Sequence, residues 1–204
     1  MNAEIFNPNP RIEFFDRAAY NWNESLSSEE ESFLQSIIQK AETPSSLGKL
    51  VLDVGCGTGI LFPLLKDWNV VALDISSKML ERAKQKKQNH VIDYVCGDVH
   101  SLPFPPAHFA KVIMLSVYPH FDNPLLAMEE VFRILKEGGT IIIVHLKAAD
   151  AVNNIHASIG GVIANDLLPN EFEMKSVIRR AGFEIEFSEF NNRIALVCRK
   201  PIRI

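Results

Sequence analysis

Short apolar runs alternate with amphipathic segments along most of this chain, and that alternation limits its fold more than any other feature. Runs with strand character begin with Leu50–Val54 and continue as NVVALDI, VIDYVCGDV, AKVIMLSV and TIIIVHL. Strand–helix–strand order produces right-handed units around a mostly parallel sheet that is covered on both faces. Two closing runs, EIEFSEF and IALVCRK, flank a hairpin turn at Asn191 and Asn192. We therefore predict an α/β fold: a doubly wound, mostly parallel seven-stranded sheet with helices on both faces and a C-terminal antiparallel hairpin.

Capping residues and apolar spacing place helices between these strands. One predicted helix starts at SSEEESFLQSIIQKA with Ser28 as its N-cap, and another spans about Gly59 to Trp68, where Pro63 must lie in the first turn. The other predicted helices are SSKMLERAKQKKQ, capped by Ser76 or Ser77; Pro124 to Lys136, capped by Asp122 or Asn123 and stopped by Gly138 and Gly139; and NEFEMKSVIRRAGF, ending at Gly182.

Composition bounds the class of protein. A chain of 204 residues with 47% hydrophobic residues can bury its own core, and we interpret residues 1–204 as a single domain. A formal charge of −4 lacks the basic excess that nucleic-acid binding requires. The sequence shows neither a secretory signal pattern nor an apolar run of membrane-spanning length, so we expect a cytoplasmic protein without nucleic-acid or membrane partners. Cys56, Cys96 and Cys198 are spaced too widely to suggest a disulfide framework or a zinc site.

The glycine-rich stretch LDVGCGTG, residues 52–59, directly follows the first predicted strand. In sheets of this kind ligands bind at the carboxyl ends of the strands, so this loop marks the predicted binding site. A phosphate-binding loop needs a lysine directly after its last glycine, but the next lysine is Lys66. A dinucleotide-binding loop needs a glycine where this chain has Ile60. The observed GxGxG spacing therefore disfavours both a nucleoside triphosphate and NAD.

Three features resemble class I S-adenosylmethionine-dependent methyltransferases: the stretch LDVGCGTG, Asp74 at the end of the second strand, and Asp98 in GDV after the third. The resemblance covers roughly residues 49–146, and the AGF stretch followed by two strands is also similar to that family. It implies a Rossmann-like methyltransferase fold, S-adenosylmethionine as the cofactor, and transfer of the methyl group with release of S-adenosylhomocysteine.

The resemblance also implies roles on the cofactor side. The first two glycines of the loop would let the backbone pass under the methionine and ribose parts, because a Cβ there would occupy that space. Asp53 would act on the amino group, Asp74 would accept from the two ribose hydroxyls, and Asp98 would accept from the adenine amine. Alternatively, the last two acids only cap the segments after them, where Ser76 offers another cap. The predicted cofactor-binding residues are Asp53, Gly55, Cys56, Gly57, Gly59, Asp74, Ile75, Asp98, Val99 and Ser116.

The methyl acceptor should lie over the end of the fourth strand, at LSVYPHFDNP, because donor and acceptor must align for an in-line displacement. Tyr118 and His120 are the candidate catalytic residues there, since an imidazole can act as a base near neutral pH. Alternatively, Tyr118 belongs to the core and His120 is a solvated loop residue. Tyr118, Phe121 and Ile155 would form an apolar pocket that favours a hydrophobic acceptor. Residues 116–119 are not Asn-Pro-Pro-Tyr, which argues against methylation of amides or base amines.

The irregular segment 147–169 follows the fifth strand, where members of the family insert elements that recognise the substrate. A helix from Ala149 would bring Asn153 and His156 to one side, and we predict His156 as a third catalytic residue. The other polar residues in and just before this segment include His145, Asp150, Asn154 and Asp166. A metal site is disfavoured because the histidines lack HxH or HxxxH spacing. Alternatively, the segment is a surface excursion packed by its own aliphatic side chains.

The N-terminal stretch EFFDRAAYNWNE resembles the lid segment of methyltransferases of the quinone-biosynthesis type, whose usual pattern is FDxxAxxWD. The matching residues are Phe15, Asp16, Ala19 and Trp22. Asn23 replaces the final acid, which removes an ionic role at that position. Tyr20 and Trp22 would supply apolar cover that excludes water, or would only pack the helix against the sheet.

Together these features predict a methyltransferase in which residues 1–45 form a lid and helix and residues 147–169 form a cap over the substrate. The predicted reaction moves a methyl group from S-adenosylmethionine to a small-molecule acceptor, in a monomer or homodimer without a bound metal. Two alternatives remain. One is a protein that binds S-adenosylmethionine or S-adenosylhomocysteine without turnover; the other, which Ile60 disfavours, is an NAD-dependent oxidoreductase.

Overall fold

One mixed sheet forms the centre of the computed structural model, which describes residues 9–22 and 25–203. The strands, in chain order, are β1 (Leu50–Val54), β2 (Asn69–Asp74), β3 (Val91–Cys96), β4 (Phe109–Leu115), β5 (Leu135–His145), β6 (Glu184–Phe190) and β7 (Ile194–Arg199). They lie in the order β3-β2-β1-β4-β5-β7-β6. The first five are parallel, whereas β7 pairs antiparallel with β5 and β6. The predicted fold class is confirmed, including its C-terminal hairpin.

The chain changes direction across the sheet at β1. From β1 it first moves outward through β2 to β3 and then returns to place β4 on the other side of β1. Loops that leave the carboxyl ends of β1 and β4 therefore diverge to opposite faces and leave a crevice between them, which is where doubly wound sheets bind ligands. The register places Val54 beside Met114 at this edge.

Six α-helices lie in the described part of the chain: α1 (Pro10–Ala18), α2 (Ser28–Lys40), α3 (Ser77–Gln85), α4 (Pro124–Ile134), α5 (Ala149–Ile159) and α6 (Glu171–Arg180). Ser76 caps α3 and Asn123 caps α4, both within the predicted alternatives. The cap of α2 is Ser27 rather than Ser28, because Ser27 and Glu30 hydrogen-bond each other's backbone amides reciprocally. None of these helices is long and apolar enough to cross a bilayer.

The helix predicted for residues 59–68 is wrong. This stretch forms turns around a short 3₁₀ helix, Phe62–Leu65. Gly59 has a φ of 81°, which a right-handed helix does not admit, and Pro63 has no amide hydrogen to donate. The polypeptide after the glycine loop is therefore tighter and more irregular than its apolar spacing predicts.

The predicted end of α4 is also wrong. The helix ends at Ile134, and Leu135 takes an extended backbone that starts β5, so the two glycines predicted to stop the helix lie inside the strand. At Gly139 the chain passes close to β4, since a Cβ there would lie 3.0 Å from the carbonyl oxygen of Ala110. The glycine is needed for this close approach rather than for ending the helix.

Alternate strand residues enter two hydrophobic clusters, one on each face of the sheet. Leu52 and Val54 of β1 face the cluster that contains the buried side of α4 and α6, whereas Val51 faces the cluster built on α2 and α3. Lys111 of β4 is buried as well: its ammonium donates to the carbonyl oxygen of Ala41 at 2.7 Å, just after α2. Because the last carbonyls of a helix lack intrahelical partners, they can satisfy a buried cation.

Helix α1 lies against α3 and against a short 3₁₀ helix, Gly161–Ile163, that follows α5. Its carboxylate Asp16 accepts from the Ser76 hydroxyl at 2.6 Å and from the Lys78 amide at 3.2 Å, at the start of α3. Arg82 of α3 reaches back to the carbonyl oxygen of Ala19 at 2.8 Å. The N-terminal segment is therefore tied to the same edge of the sheet from which the glycine loop leaves.

Candidate functional site

A cavity of about 510 Å³ opens at the carboxyl ends of β1, β2, β4 and β5. The glycine loop forms part of one side, and the segment after β4 forms part of the opposite side. Phe15 and Trp22 of the N-terminal segment, together with Ile155 of α5, complete the wall. This volume lies in the usual range for a small-molecule site, and its position matches the crevice expected for the fold.

The glycines of LDVGCGTG serve different purposes. A Cβ on Gly55 would lie 2.4 Å from the Val117 side chain, and one on Gly59 would lie 2.3 Å from the Phe62 ring. The expectation that a Cβ on Gly55 would enter cofactor space is therefore wrong, because packing within the protein excludes it. Gly59 is not among the cavity-lining residues, contrary to its predicted contact with the cofactor. Gly57 does line the cavity, with a φ of 52°.

Asp74, at the end of β2, holds the glycine loop in place. Its Oδ2 accepts from the Gly57 amide and its Oδ1 from the Ser76 amide, both at 2.8 Å. Burial raises the pKa of Asp74 to about 6, although these hydrogen bonds favour the charged form and act to lower it. The side chain also lines the cavity, so it can accept further hydrogen bonds from a ligand there.

Asp53, at the end of β1, is a buried carboxylate in the cavity wall. It is only 1% exposed, and its Oδ2 has no hydrogen-bond partner among the described residues. Burial, with a smaller effect from the charge of Asp74, raises its pKa to about 8. An unsatisfied buried oxygen is costly, and an ammonium group or a bound water would satisfy it. The chemistry of this position fits the amino end of S-adenosylmethionine.

The third acid, Asp98, lies at the cavity edge with 42% of its side chain exposed. Its Oδ1 accepts from the backbone amide of His100 at 2.9 Å and from the ring Nδ1 at 2.5 Å, and the ring hydrogen bond chiefly lowers the pKa of Asp98. Asp98 is thus an ionised acceptor at the rim, as its predicted contact with an exocyclic amine requires. The remaining predicted cofactor residues that line the cavity are Cys56, Ile75, Val99 and Ser116.

A polar network borders the other side of the cavity. Asp166, in the cap segment, accepts from His120 Nδ1 through Oδ2 at 2.7 Å. Arg11 of α1 donates two hydrogen bonds to the same carboxylate, from Nε at 2.9 Å and from a second nitrogen at 2.6 Å. Its third nitrogen donates to Asp122. Although burial alone would raise it, the pKa of Asp166 is lowered to about 2 by hydrogen bonds from His120 and Arg11.

Two further histidines adjoin this network. His156 Nδ1 lies 2.6 Å from the backbone oxygen of Asp166, and its ring centre is 5.0 Å from that of His120. His156 is not among the cavity-lining residues, so its predicted contact with the acceptor is not seen. His145, at the end of β5, does line the cavity. Burial, and then the charges of the other two histidines, lowers the pKa of His145 to about 3, so its ring is neutral.

Tyr118 does not occupy its predicted position beside the acceptor. It is 1% exposed, belongs to the core cluster, and does not line the cavity. Burial raises its pKa far above the usual range, and its hydroxyl has no partner in the described structure. A phenol in this environment cannot exchange protons with a ligand. Of the three residues predicted to form an apolar acceptor pocket, Phe121 and Ile155 do line the cavity.

Two other predicted positions are corrected. Asn153 holds the cap together, because its amide group exchanges two hydrogen bonds with the backbone of Leu168, at 2.7 and 3.2 Å. Tyr20 is 71% exposed and gives no cover, whereas Trp22 lines the cavity with its buried Nε1 unpaired in the described structure. Position 23, where the family pattern has an acid and this chain has asparagine, lies outside the described residues.

Residues 9–22 and 25–203 contain no group of three His, Cys, Asp or Glu side chains arranged to hold a metal ion. Sequence reasoning assigned no role to Arg11, and it named His145 and Asp166 only as polar residues of their region. The only sequence signal for Asp166 is that it is an acidic residue in an irregular polar segment. Nothing local to Arg11 indicates a partner 155 residues away.

Comparisons with known proteins place the chain among methyltransferases. Residues 52–143 match a family model described as a methyltransferase domain. The chain is 31% identical over 148 residues to the malonyl-[acyl-carrier protein] O-methyltransferase of Herminiimonas arsenicoxydans, covering 69% of this chain and 55% of that protein. It is 27% identical to the demethylmenaquinone methyltransferase of Lactococcus lactis, covering 74% of each. The first of these, like several other relatives, is matched over only about half of its length or less.

Solved structures give the same fold. A putative methyltransferase in complex with the Trm112 methyltransferase activator of Haloferax volcanii superposes with a TM-score of 0.74 at 18% identity, covering 95% of this chain and 98% of that one. A putative methyltransferase of Bacillus halodurans superposes with a TM-score of 0.69 at 21% identity, covering 84% and 100%. At this level of identity the likeness concerns the fold alone.

Proposed function

This chain belongs to the class I S-adenosylmethionine-dependent methyltransferases, and from that premise we propose that it transfers the methyl group of S-adenosylmethionine to a small-molecule acceptor, releasing S-adenosylhomocysteine. One observation carries the proposal: a single cavity joins a nucleoside-type site on the glycine loop to a histidine held by a buried carboxylate. A site that bound only the cofactor would not need the histidine held by a buried carboxylate.

The cofactor would lie along the loop, with each part facing a different acid. Asp53 would accept from the amino group with its unpaired oxygen, and Asp74 would accept from the ribose hydroxyls while it keeps its hydrogen bond from the Gly57 amide. Asp98 would accept from the adenine amine at the rim, beside the buried side chain of Val99. When bound, the cofactor supplies a methyl group on a positively charged sulfur with a neutral leaving group.

On the acceptor side, His120 is the base in our proposal. The proton on its Nδ1 is committed to Asp166, so the lone pair of the neutral ring lies on Nε2. Burial lowers the pKa of His120 below its ordinary value, although Asp166 opposes this effect, so the neutral form dominates at physiological pH. His156, behind the cavity wall, positions Asp166 rather than contacting the acceptor.

Two segments cover the site and support a small acceptor. Residues 1–45, as far as they are described, contribute Phe15 and Trp22, and the cap at 147–169 contributes Val152 and Ile155. The volume of about 510 Å³ must hold both the cofactor and the acceptor, which leaves little room for a macromolecular chain. The name of one relative specifies a small molecule, demethylmenaquinone, whereas the name of another specifies a malonyl group carried on a protein. The proposed acceptor is therefore a small molecule, and we propose that the protein acts as a monomer or homodimer.

The test uses S-adenosylmethionine labelled in its methyl group. The purified protein is incubated with a cell extract separated into small-molecule and macromolecular fractions, and the label is followed by mass spectrometry. We expect protein-dependent labelling in the small-molecule fraction, matched by an equal amount of S-adenosylhomocysteine. Label in the macromolecular fraction would contradict the acceptor class. Binding of the cofactor without transfer to either fraction would favour the non-catalytic alternative.

A further inference from the structure

The three acids on the proposed cofactor side of the cavity are held in different ways. Asp53 is enclosed by the protein, at 1% exposure, and Asp74 accepts from two backbone amides. Asp98 has 42% of its side chain exposed, and His100 is the only side chain in the described structure that donates to it. A carboxylate at a solvated rim samples several rotamers unless a partner holds it. The orientation of Asp98 therefore depends on His100.

The contacts of the His100 ring determine its tautomer. Its Nε2 lies 3.2 Å from the backbone nitrogen of Asn123, the N-cap of α4. A backbone N–H can only donate, so Nε2 carries the lone pair and the proton of the neutral ring lies on Nδ1. Nδ1 donates this proton to Asp98 Oδ1 at 2.5 Å. The ring also packs against Phe121 in an edge-to-face arrangement, with the ring centres 6.0 Å apart. These three neighbours orient the ring with its donor towards Asp98.

This donor gives the two oxygens of Asp98 different partners. Oδ1 accepts from the ring Nδ1 and from the backbone amide of His100, at 2.5 and 2.9 Å, and the described residues donate nothing to Oδ2. The hydrogen bond from the ring also lowers the pKa of Asp98, which keeps the carboxylate ionised. An ionised carboxylate offers only lone pairs, and Asp98 lines the cavity. A group that pairs with Oδ2 must therefore be a hydrogen-bond donor.

We propose that His100 is a positioning residue that acts through Asp98 and makes the cofactor site select adenine over hypoxanthine, in which a carbonyl oxygen replaces the exocyclic amine. This deepens the proposed function and rests on its assignment of Asp98 to that amine. When the ring holds the carboxylate, Oδ2 accepts from the amine of adenine. The carbonyl oxygen of hypoxanthine brings a lone pair against the same carboxylate, and neither oxygen can donate. Without the ring donor the carboxylate rotates, and the site loses affinity for adenine more than for hypoxanthine.

The test compares two nucleosides that differ only at this edge of the base. Calorimetry measures the dissociation constants of S-adenosylhomocysteine and of S-inosylhomocysteine, whose base is hypoxanthine, for the 204-residue chain and its variants. We expect the unchanged protein to bind S-adenosylhomocysteine at least about tenfold more tightly, the effect of roughly one unmade hydrogen bond. The ratio of the two constants is the informative quantity, because a general loosening of the fold would weaken both nucleosides alike.

Two amide variants separate the donor to Asp98 from the acceptor that faces α4. His100→Asn carries its N–H one bond beyond Cγ, as Nδ1 is, and should keep the preference for adenine within about threefold. His100→Gln carries its amide one bond further out, near Nε2, so it keeps an acceptor for the Asn123 amide. It should lower the preference by about fivefold or more, through weaker binding of S-adenosylhomocysteine. A ring needed only to hold α4 would give the opposite order. His108→Gln, at an exposed histidine outside the cavity, is the control and should change nothing.

His100→Leu, which lacks both polar groups, measures the lost preference a second time, and binding of S-inosylhomocysteine within about twofold of the unchanged protein reports that a variant is folded. An undiminished preference for adenine in His100→Gln and His100→Leu would overturn the proposal, as would an equal loss in His100→Asn and His100→Gln. Equal binding of both nucleosides by the unchanged protein would overturn it together with the assignment of Asp98. Binding of neither nucleoside would instead contradict the proposed function itself, and the proposal with it.

Discussion

The two ends of the cavity are built in different ways. The end that we propose for the cofactor is built mainly from backbone: the glycines of the loop have positive φ, and the Asp74 carboxylate accepts from the Gly57 amide. The acceptor end is a side-chain network whose members come from α1, the turn after β4, and the cap, with Asp166 in its centre. The first end is specified by the glycine loop and by acids that directly follow the next two strands, whereas the second exists only after distant parts of the chain have come together.

This difference has a consequence for how each end responds to change. Single substitutions at the cofactor end should alter affinity for the nucleoside and leave the acceptor chemistry intact. Those at the acceptor end should do the reverse, because the two networks share no hydrogen bond among the described residues. Substitutions at the two ends test that separation.

The largest effect is expected for His120→Ala. Loss of a positioned general base should lower kcat by about 10²- to 10⁴-fold, while affinity for S-adenosylhomocysteine stays within about twofold. Steady-state kinetics and calorimetry on the same preparation measure the two quantities. His108→Ala, an exposed histidine outside the cavity, is the control and should behave as the unchanged protein. A large loss of cofactor affinity in His120→Ala would contradict the expectation that the two ends respond independently.

Asp74→Ala should produce the reverse pattern. It removes the proposed acceptor of the ribose hydroxyls and releases the Gly57 amide, so affinity for S-adenosylmethionine should fall by about 10²-fold. At saturating cofactor kcat should change far less. Asp67→Ala changes an exposed aspartate that does not line the cavity and is the matched control. Unchanged cofactor affinity in Asp74→Ala would remove this residue from the site.

Asp166→Asn should lower kcat by about 10- to 100-fold, because the amide no longer enforces the Nδ1–H form of His120. It should also move the pH profile. The groups that act on the pKa of His120 are Asp166, which raises it, and His156 and Arg11, which lower it together with burial.

The direction in which the pH profile moves follows from the loss of the negative charge of Asp166. As the proposed base, His120 would work only when unprotonated, so the rate should fall as pH drops through its pKa. Removing the carboxylate that raises this pKa moves the acid limb to lower pH. A reduced rate with an unshifted acid limb would mean that Asp166 supports the fold alone.

Arg11→Met should have a smaller effect. The substitution leaves Asp166 buried with one partner fewer and detaches α1 from the cap, so KM for the acceptor should rise about tenfold. The free energy of unfolding should fall by about 1–3 kcal/mol, measured by urea titration. Arg17→Met, which removes an exposed ion pair with Glu13 on the same helix, should cost about 0.5 kcal/mol or less. Equal effects from the two variants would contradict a special role for Arg11.

Tyr118→Phe should have the smallest effect on activity. The buried hydroxyl has no partner among the described residues, so its removal should leave kcat and KM within about twofold and raise the unfolding free energy slightly, by about 1 kcal/mol. A marked loss of activity would return Tyr118 to the catalytic group.

Most of the predicted cofactor residues line one cavity because the signals that named them are local. A strand followed by GxGxG, with acids after the next two strands, specifies positions that the parallel sheet then brings to one edge. The fold class followed from the same alternation. The helix predicted from apolar spacing for residues 59–68 is wrong, because the backbone conformation of Gly59 and the missing amide hydrogen of Pro63 prevent a regular helix.

The acceptor end was predicted only in part. His120 was named because it follows a strand end, and it does line the cavity, but its neighbour Tyr118 has the same signal and turns into the core. Arg11 and Asp166 are 155 residues apart, and no periodicity or motif links them. Side-chain networks that assemble across the chain leave no pattern in any single window of sequence.

The most direct test of the account is a calorimetric titration of the purified protein with S-adenosylmethionine, repeated in the presence of excess NAD. We predict a dissociation constant on the order of micromolar that NAD does not change, because the glycine loop lacks the spacing for a dinucleotide. Binding of NAD in place of S-adenosylmethionine, or binding of neither, would contradict the proposal that this cavity is a methyltransferase site.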